Sequence, residues 1–133
     1  MSTKHVVVIV DSSVWIDAMA GHTYRVVEDA MTAGTLYLAP LVIAELLSAE
    51  LTFTQRESIF LMLQDYPLCD TPLAHWMGVG GLRRALRTRG VNVTIPDAHV
   101  AQLALELDGT LVTRDDIFQR IAAYTPLRLA QLR

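Results

Sequence analysis

Stretches of continuous apolar residues alternate along the chain with stretches that have helical spacing. Residues 5–10 are almost wholly apolar and β-branched, with no polar residue at every second position. That pattern fits a strand buried on both faces of a parallel sheet. Asp11, Ser12 and Ser13 then offer capping side chains for a short helix over 14–20, which Gly21 breaks. A second helix is predicted over 23–33, ending at Gly34. A short strand over 35–39 leads to Pro40, which suits the first turn of a helix continuing through 41–49. Thr54, with Glu57 three residues on, reads as the capping box of a helix reaching about Asp65. Residues 66–69 carry a third, weaker strand signal, interrupted by Pro67. Thr71-Pro72 opens a long helical stretch to Arg89, closed by Gly90. Gly78, Gly80 and Gly81 lie inside it, each costing on the order of 1 kcal/mol relative to Ala, so a kink or break is expected there. Pro96 ends an extended stretch and Asp97 is expected to open a helix to Leu107. Asp108-Gly109 turns the chain into a strand over 110–113, followed by a helix over 117–123 and a last short strand over 127–129.

Strands separated by helical crossovers imply an α/β domain whose parallel sheet is covered on both faces. Ligands of such sheets bind off the carboxyl ends of the strands, where strand order reverses. At 133 residues, the chain is expected to be a single domain over 1–133. A hydrophobic fraction of 52% is ample for a core and leaves apolar surface for a partner. No apolar run approaches a signal-peptide core or a membrane span, so no membrane association is expected. The lone cysteine, Cys69, allows no internal disulfide, fits a reducing cytoplasmic setting and reads as a small core residue.

The net charge of −3 does not by itself advertise a nucleic-acid binder, but its distribution is uneven. Residues 1–82 carry three basic residues against nine acidic ones, while residues 83–133 carry eight arginines against five acidic residues. Opposed halves fit either an acidic site beside a basic rim or scattered surface charge.

Four acids stand out by position. Asp11 directly follows the first strand, and Asp115 lies just past the strand over 110–113. If those strands are neighbours, both carboxylates emerge at one sheet edge. Glu45 is the lone charge in an otherwise apolar helix, so it is either exposed on a narrow polar strip or buried with a partner. Asp97 follows Pro96, where a helix cap and a site acid are both open readings. Two carboxylates about 4 Å apart repel by about 4 kcal/mol at an effective dielectric of about 20. Four that converge must take up protons or bind cations. All-oxygen ligands favour Mg²⁺ or Mn²⁺, and few Cys with no paired His argue against zinc. Such ions suit phosphodiester hydrolysis.

At these residues the sequence resembles the PIN-domain family, in particular the VapC-type toxins of type II toxin–antitoxin systems. The resemblance rests on four blocks in order: Val10-Asp11-Ser12-Ser13-Val14-Trp15-Ile16; Pro40 to Leu47 with Glu45; Gly90 to Ala101 with Pro96-Asp97-Ala98-His99; and Leu111-Val112-Thr113-Arg114-Asp115-Asp116-Ile117-Phe118. It implies a three-layer α/β/α sandwich with a five-stranded parallel sheet of order 3-2-1-4-5. It also implies RNA cleavage dependent on Mg²⁺ or Mn²⁺, a homodimer and inhibition by a cognate antitoxin. Asp11, Glu45, Asp97 and Asp115 match the family's acids, serving as both catalytic and metal-binding residues. Ser12 and Thr113 match hydroxyl positions supporting the site, and Asp116 stands where it could replace or assist Asp115. His99 departs from the aliphatic residue more usual at its position.

Arg83, Arg84 and Arg87, with Arg114, are candidate RNA contacts. The alternative for the first three is a solvated helix end whose cations suit the helix dipole, and for Arg114 a structural ion pair. The apolar run 59–63, with Phe53 before it, is either core or a groove for an antitoxin helix. Two other classes remain open. A haloacid-dehalogenase-like phosphohydrolase also places Asp after the first strand but needs a second Asp where this chain has Ser13. A catalytically inactive PIN-like module binding RNA or protein would keep the fold without cleavage.

Overall fold

The computed structural model describes residues 6–132. Four short strands, β1 (Val8–Val10), β2 (Leu36–Tyr37), β3 (Thr110–Val112) and β4 (Arg128–Leu129), form one wholly parallel sheet of order β2-β1-β3-β4. Among the described residues seven helices connect and cover them: α1 (Ser12–Met19), α2 (Arg25–Ala33), α3 (Pro40–Ser48), α4 (Phe53–Asp65), α5 (Leu73–Arg87), α6 (Ile95–Glu106) and α7 (Ile117–Ala122). His5, expected to begin the first strand, lies outside the described residues.

Among the described residues the sheet has four strands rather than the five expected. The segment over 66–69 reaches the outer edge of β2 but pairs through a single parallel bridge, Leu38 with Leu68. Leu38 N–H donates to the Pro67 carbonyl at 2.8 Å and Cys69 N–H to the Leu38 carbonyl at 2.8 Å. Pro67 has no N–H to extend a ladder, which confines the pairing to that one contact. The bridge lies beside β2, so the strand order expected for the sheet survives with its edge strand reduced.

Three local expectations are corrected. Helix α4 starts two residues earlier than predicted, because Thr52 and Gln55 form the capping box and Thr54 and Glu57 do not. The Gln55 N–H donates to the Thr52 hydroxyl at 3.1 Å, and the Thr52 N–H donates to the Gln55 side-chain oxygen at 3.0 Å. Helix α5 runs unbroken past Gly78, Gly80 and Gly81, because packing along α6 outweighs their helix propensity. At Gly78 the two helices come so close that a Cβ would lie 2.6 Å from Gln102 Nε2. Asp97 does not open α6. Thr94 caps it by accepting from the Asp97 N–H at 3.3 Å, Pro96 sits in the first turn, and Asp97 falls inside that turn.

The core explains how the carboxyl ends of the central strands become the working edge. Ile9, Val10, Leu111 and Val112 are buried in the two middle strands, as their continuous apolar runs required. Val100, Ala101, Leu103 and Ala104 of α6 and Phe118 and Ile121 of α7 are also buried. Asp11 immediately follows β1, and the Asp11 N–H donates to the Val112 carbonyl at 2.9 Å. The loops after β1 and β3 therefore leave the sheet side by side. Among the described residues, no helix is long and apolar enough to cross a membrane.

Candidate active site

A cleft of about 610 Å³ opens at this edge, lined by Asp11, Ser12, Ser13, Ile16, Glu45, Thr94, Pro96, Asp97, Arg114 and Asp115. The four acids come from four separate segments: the end of β1, the middle of α3, the first turn of α6 and the loop after β3. Asp11 is the most buried of them, only 4% exposed. Its Oδ2 accepts from the Ser13 hydroxyl at 3.1 Å and from the Thr113 hydroxyl at 2.8 Å. These bonds hold the carboxylate in place and do not cap α1, since Asp11 occupies the cap position without a side-chain capping bond.

The same two hydroxyls tie the β3 loop to the β1 loop. Arg114 N–H donates to Ser13 Oγ at 3.2 Å, and Asp115 N–H donates to Thr113 Oγ1 at 3.0 Å. Thr113 thus sits beside Asp11 as the sequence suggested. Ser12 lines the cleft, but the bond to Asp11 comes from Ser13, which sequence reasoning passed over. The Asp11-x-Ser13 spacing at a helix start was the available signal.

Burial raises the Glu45 carboxyl above its ordinary value, and the nearby charges of Asp11 and Asp97 raise it further. Asp97 is likewise raised, first by burial and then by Asp11 and Asp115, against a lowering bond from Thr94. All four acids are therefore linked through space, each joined to at least one other by charge repulsion. Glu45 lies on the exposed side of a helix whose Val42, Ile43 and Leu46 enter the core. Among the described residues, no three His, Cys, Asp or Glu side chains are already drawn together closely enough to enclose an ion.

Asp115 has a second task, since its Oδ1 accepts from the Ile117 N–H at 3.2 Å at the start of α7. Asp116 lines a neighbouring depression of about 620 Å³ with Thr113, Arg114 and Asp115, outside the cleft that contains Asp11. Arg114 lines the cleft and also pairs with Asp17, Nε to Oδ2 at 2.5 Å, while Tyr24 donates its hydroxyl to the same carboxylate at 2.8 Å. Arg83 and Arg87, with Asn92, Val93 and Thr94, line a smaller pocket of about 250 Å³. That pocket meets the acidic cleft at Thr94. Arg83 is held there by donating from Nε to the Val93 carbonyl at 2.8 Å, whereas Arg84 points to solvent outside it.

Fold and site together define a class: a parallel α/β domain with a carboxylate-lined cleft at the carboxyl ends of its central strands. The chain belongs to the PIN domain family, whose model matches residues 8–124. Its fold is similar to that of VapBC2 from Rickettsia felis bound to a DNA fragment from their promoter. There the TM-score is 0.79 at 19% identity, over 96% of this chain and 100% of that one. It is also similar to DNA-bound VapBC from Salmonella typhimurium, with TM-score 0.78 and 17% identity over 94% of this chain and 97% of that one. A third likeness is to VapBC-5 of Mycobacterium tuberculosis, a member of the VapBC family of toxin–antitoxin systems. In that case the TM-score is 0.72 at 20% identity, over 96% of this chain and 99% of that one. No curated protein matches the sequence.

Proposed function

We propose that this protein is a VapC-type toxin: an endoribonuclease that hydrolyses RNA phosphodiester bonds at a Mg²⁺ or Mn²⁺ site held by Asp11, Glu45, Asp97 and Asp115. The observation that carries this reading is the convergence of four carboxylates from four separate segments on one cleft. Family membership and the likeness to VapBC toxin–antitoxin structures support it.

The residues fit a hard divalent ion. The donor set is all oxygen, and the charges raising Glu45 and Asp97 belong to the other members of the set. Their repulsion keeps the carboxylates apart, and a cation is the partner that relieves it. When bound, the metal would supply a Lewis acid for the phosphate and lower the pKa of a coordinated water. The chain's own contribution is orientation. Ser13 and Thr113 fix Asp11, and Thr94 fixes the first turn that carries Asp97. Arg114, half exposed at the cleft wall, and the Arg83–Arg87 pocket beside Thr94 offer cations to neighbouring phosphates of a bound strand.

The antitoxin partner is assigned to the opposite character of surface. Trp15, Met19, Leu46, Ile59 and Met62 line an apolar groove of about 430 Å³ between α1, α3 and α4. Of the run over 59–63, only Ile59 is buried, while Phe60 and Leu61 are exposed and so is Phe53. That leaves an apolar helix face of the kind an amphipathic helix covers. A homodimer in the cytoplasm completes the reading.

Replacing Asp11 or Asp97 with Asn removes one charge and almost no volume. Each variant is expected to fold and to lose more than about a hundredfold of Mn²⁺-dependent RNA cleavage, beyond the losses typical of supporting residues. Folded variants that cleave as fast as the wild type would overturn the assignment, and a wild type that cleaves no RNA would leave the inactive binding module.

A further inference from the structure

His99 is fully buried on α6, and His75 on α5 is 1% exposed. Neither belongs to the acidic cleft. Their ring nitrogens are joined in one line: His99 Nδ1 lies 2.7 Å from His75 Nε2, and His75 Nδ1 lies 3.0 and 3.1 Å from the two carboxylate oxygens of Glu106. At the other end, the Leu41 N–H donates to His99 Nε2 at 3.4 Å. Trp76 stacks on the His99 ring, with centroids 5.1 Å apart and planes 9° from parallel.

The direction of every proton in this line follows from its ends. A peptide N–H only donates, so His99 Nε2 carries a lone pair and its proton sits on Nδ1. His75 Nε2 must then accept, which puts the His75 proton on Nδ1, where the Glu106 carboxylate accepts it. A proton on both nitrogens of His75 would set two N–H groups against each other at 2.7 Å. Both rings are therefore neutral and both hold the Nδ1–H tautomer.

The end of the line falls where α3 lacks a cap. Ala39 occupies the cap position with no side-chain bond, and Pro40 has no N–H, so Leu41 carries the first N–H of the helix that lacks an intrahelical acceptor. We propose that Glu106, His75 and His99 form an ordered imidazole chain that caps α3 from across the core and sets the spacing between α3 and α6. Leu41 lies one helical turn before Glu45, and His99 lies two residues after Asp97. The chain thus joins the two helices that carry two of the four acids, and its three side chains are positioning residues. The functional consequence rests on the metal-site reading above; the chain itself does not.

Long-range ¹⁵N–¹H correlation spectra of the full-length protein at neutral pH test the chain without any variant. His75 and His99 are expected as neutral rings with the proton on Nδ1. A proton on Nε2 of either ring, or a cationic ring, overturns the proposal. Positioning is tested by titrating Mn²⁺ alone into Glu106→Ala and Glu106→Gln by calorimetry. Glu106→Ala is expected to weaken Mn²⁺ binding severalfold, up to about tenfold, while Glu106→Gln, which keeps an acceptor for His75, restores it. A folded Glu106→Ala protein with lowered thermal stability and unchanged Mn²⁺ affinity would reduce the chain to a packing feature and overturn its positioning role. A wild type that takes up no Mn²⁺ would sink the metal site instead, and the tautomer spectrum would still decide the chain.

Discussion

At the scale of single residues, the site depends on how Asp11 is held. Thr113 and Ser13 both bond its Oδ2, and Thr113 also accepts from the Asp115 backbone. Thr113→Ala removes the shorter of the two bonds and frees the β3 loop. Its Mn²⁺-dependent cleavage is expected to fall by about tenfold or more with the fold intact, measured as kcat/KM on a defined RNA. Unchanged kinetics would show that the hydroxyl is dispensable. Asp11 was legible because it directly follows an apolar run that reads as a buried strand, and Asp115 because it lies just past another. Glu45 was legible as an anomaly, one charge in an apolar helix. The Ser13 bond was signalled only by its spacing from Asp11, and the ion pair open for Arg114 had no partner until Asp17 was placed, since each depends on where a side chain turns. His99 had no account in the sequence because its partners, His75 and Glu106, meet it only through the packing of α5 on α6.

At the scale of elements, the glycines separate propensity from contact. A Cβ at Gly80 meets nothing within 4 Å, so Gly80→Ala should stabilise α5 and the protein by about 0.5–1 kcal/mol in denaturant unfolding. A Cβ at Gly109 would lie 2.7 Å from the Val7 carbonyl, which already accepts from the Thr110 N–H at 2.8 Å. Gly109→Ala should therefore force β3 away from β1 and cost about 1–3 kcal/mol. Equal effects of the two changes would contradict this account of the β1–β3 contact. The same distinction explains what sequence pattern missed. Local glycine cost predicted a kink or break in α5, whereas contact along α6 keeps it one continuous helix. The capping boxes at Thr52 and Thr54 overlap in sequence, and only the actual start of the helix chooses between them. The edge strand over 66–69 was signalled weakly for the reason it pairs weakly, a proline where a donor is needed.

At the scale of the whole molecule, the parallel sheet gathers charge that the unfolded chain keeps dispersed. Glu45 and Asp97 bind protons more tightly when folded, so they remove stability as pH rises from the ordinary carboxylate range through their raised values. The penalty is present in full above those values. Glu45→Gln should therefore raise the melting temperature of the metal-free protein at neutral pH, and this gain should vanish under acid conditions where Glu45 is already protonated. Added Mn²⁺ should stabilise the wild type more than the variant. A variant that melts below the wild type at neutral pH would show that Glu45 is not repelled by its neighbours. The parallel α/β class was legible from alternating runs of apolar and helical residues, whereas the strand order that carries the acids together came only with the resemblance to the PIN-domain family. The most direct measurement is anomalous diffraction from a crystal soaked in Mn²⁺. The account predicts a peak in the cleft within coordination distance of carboxylate oxygens of Asp11 and Asp97, with Glu45 and Asp115 drawn toward it. Manganese bound only elsewhere on the surface, with the four carboxylates still apart, would contradict it.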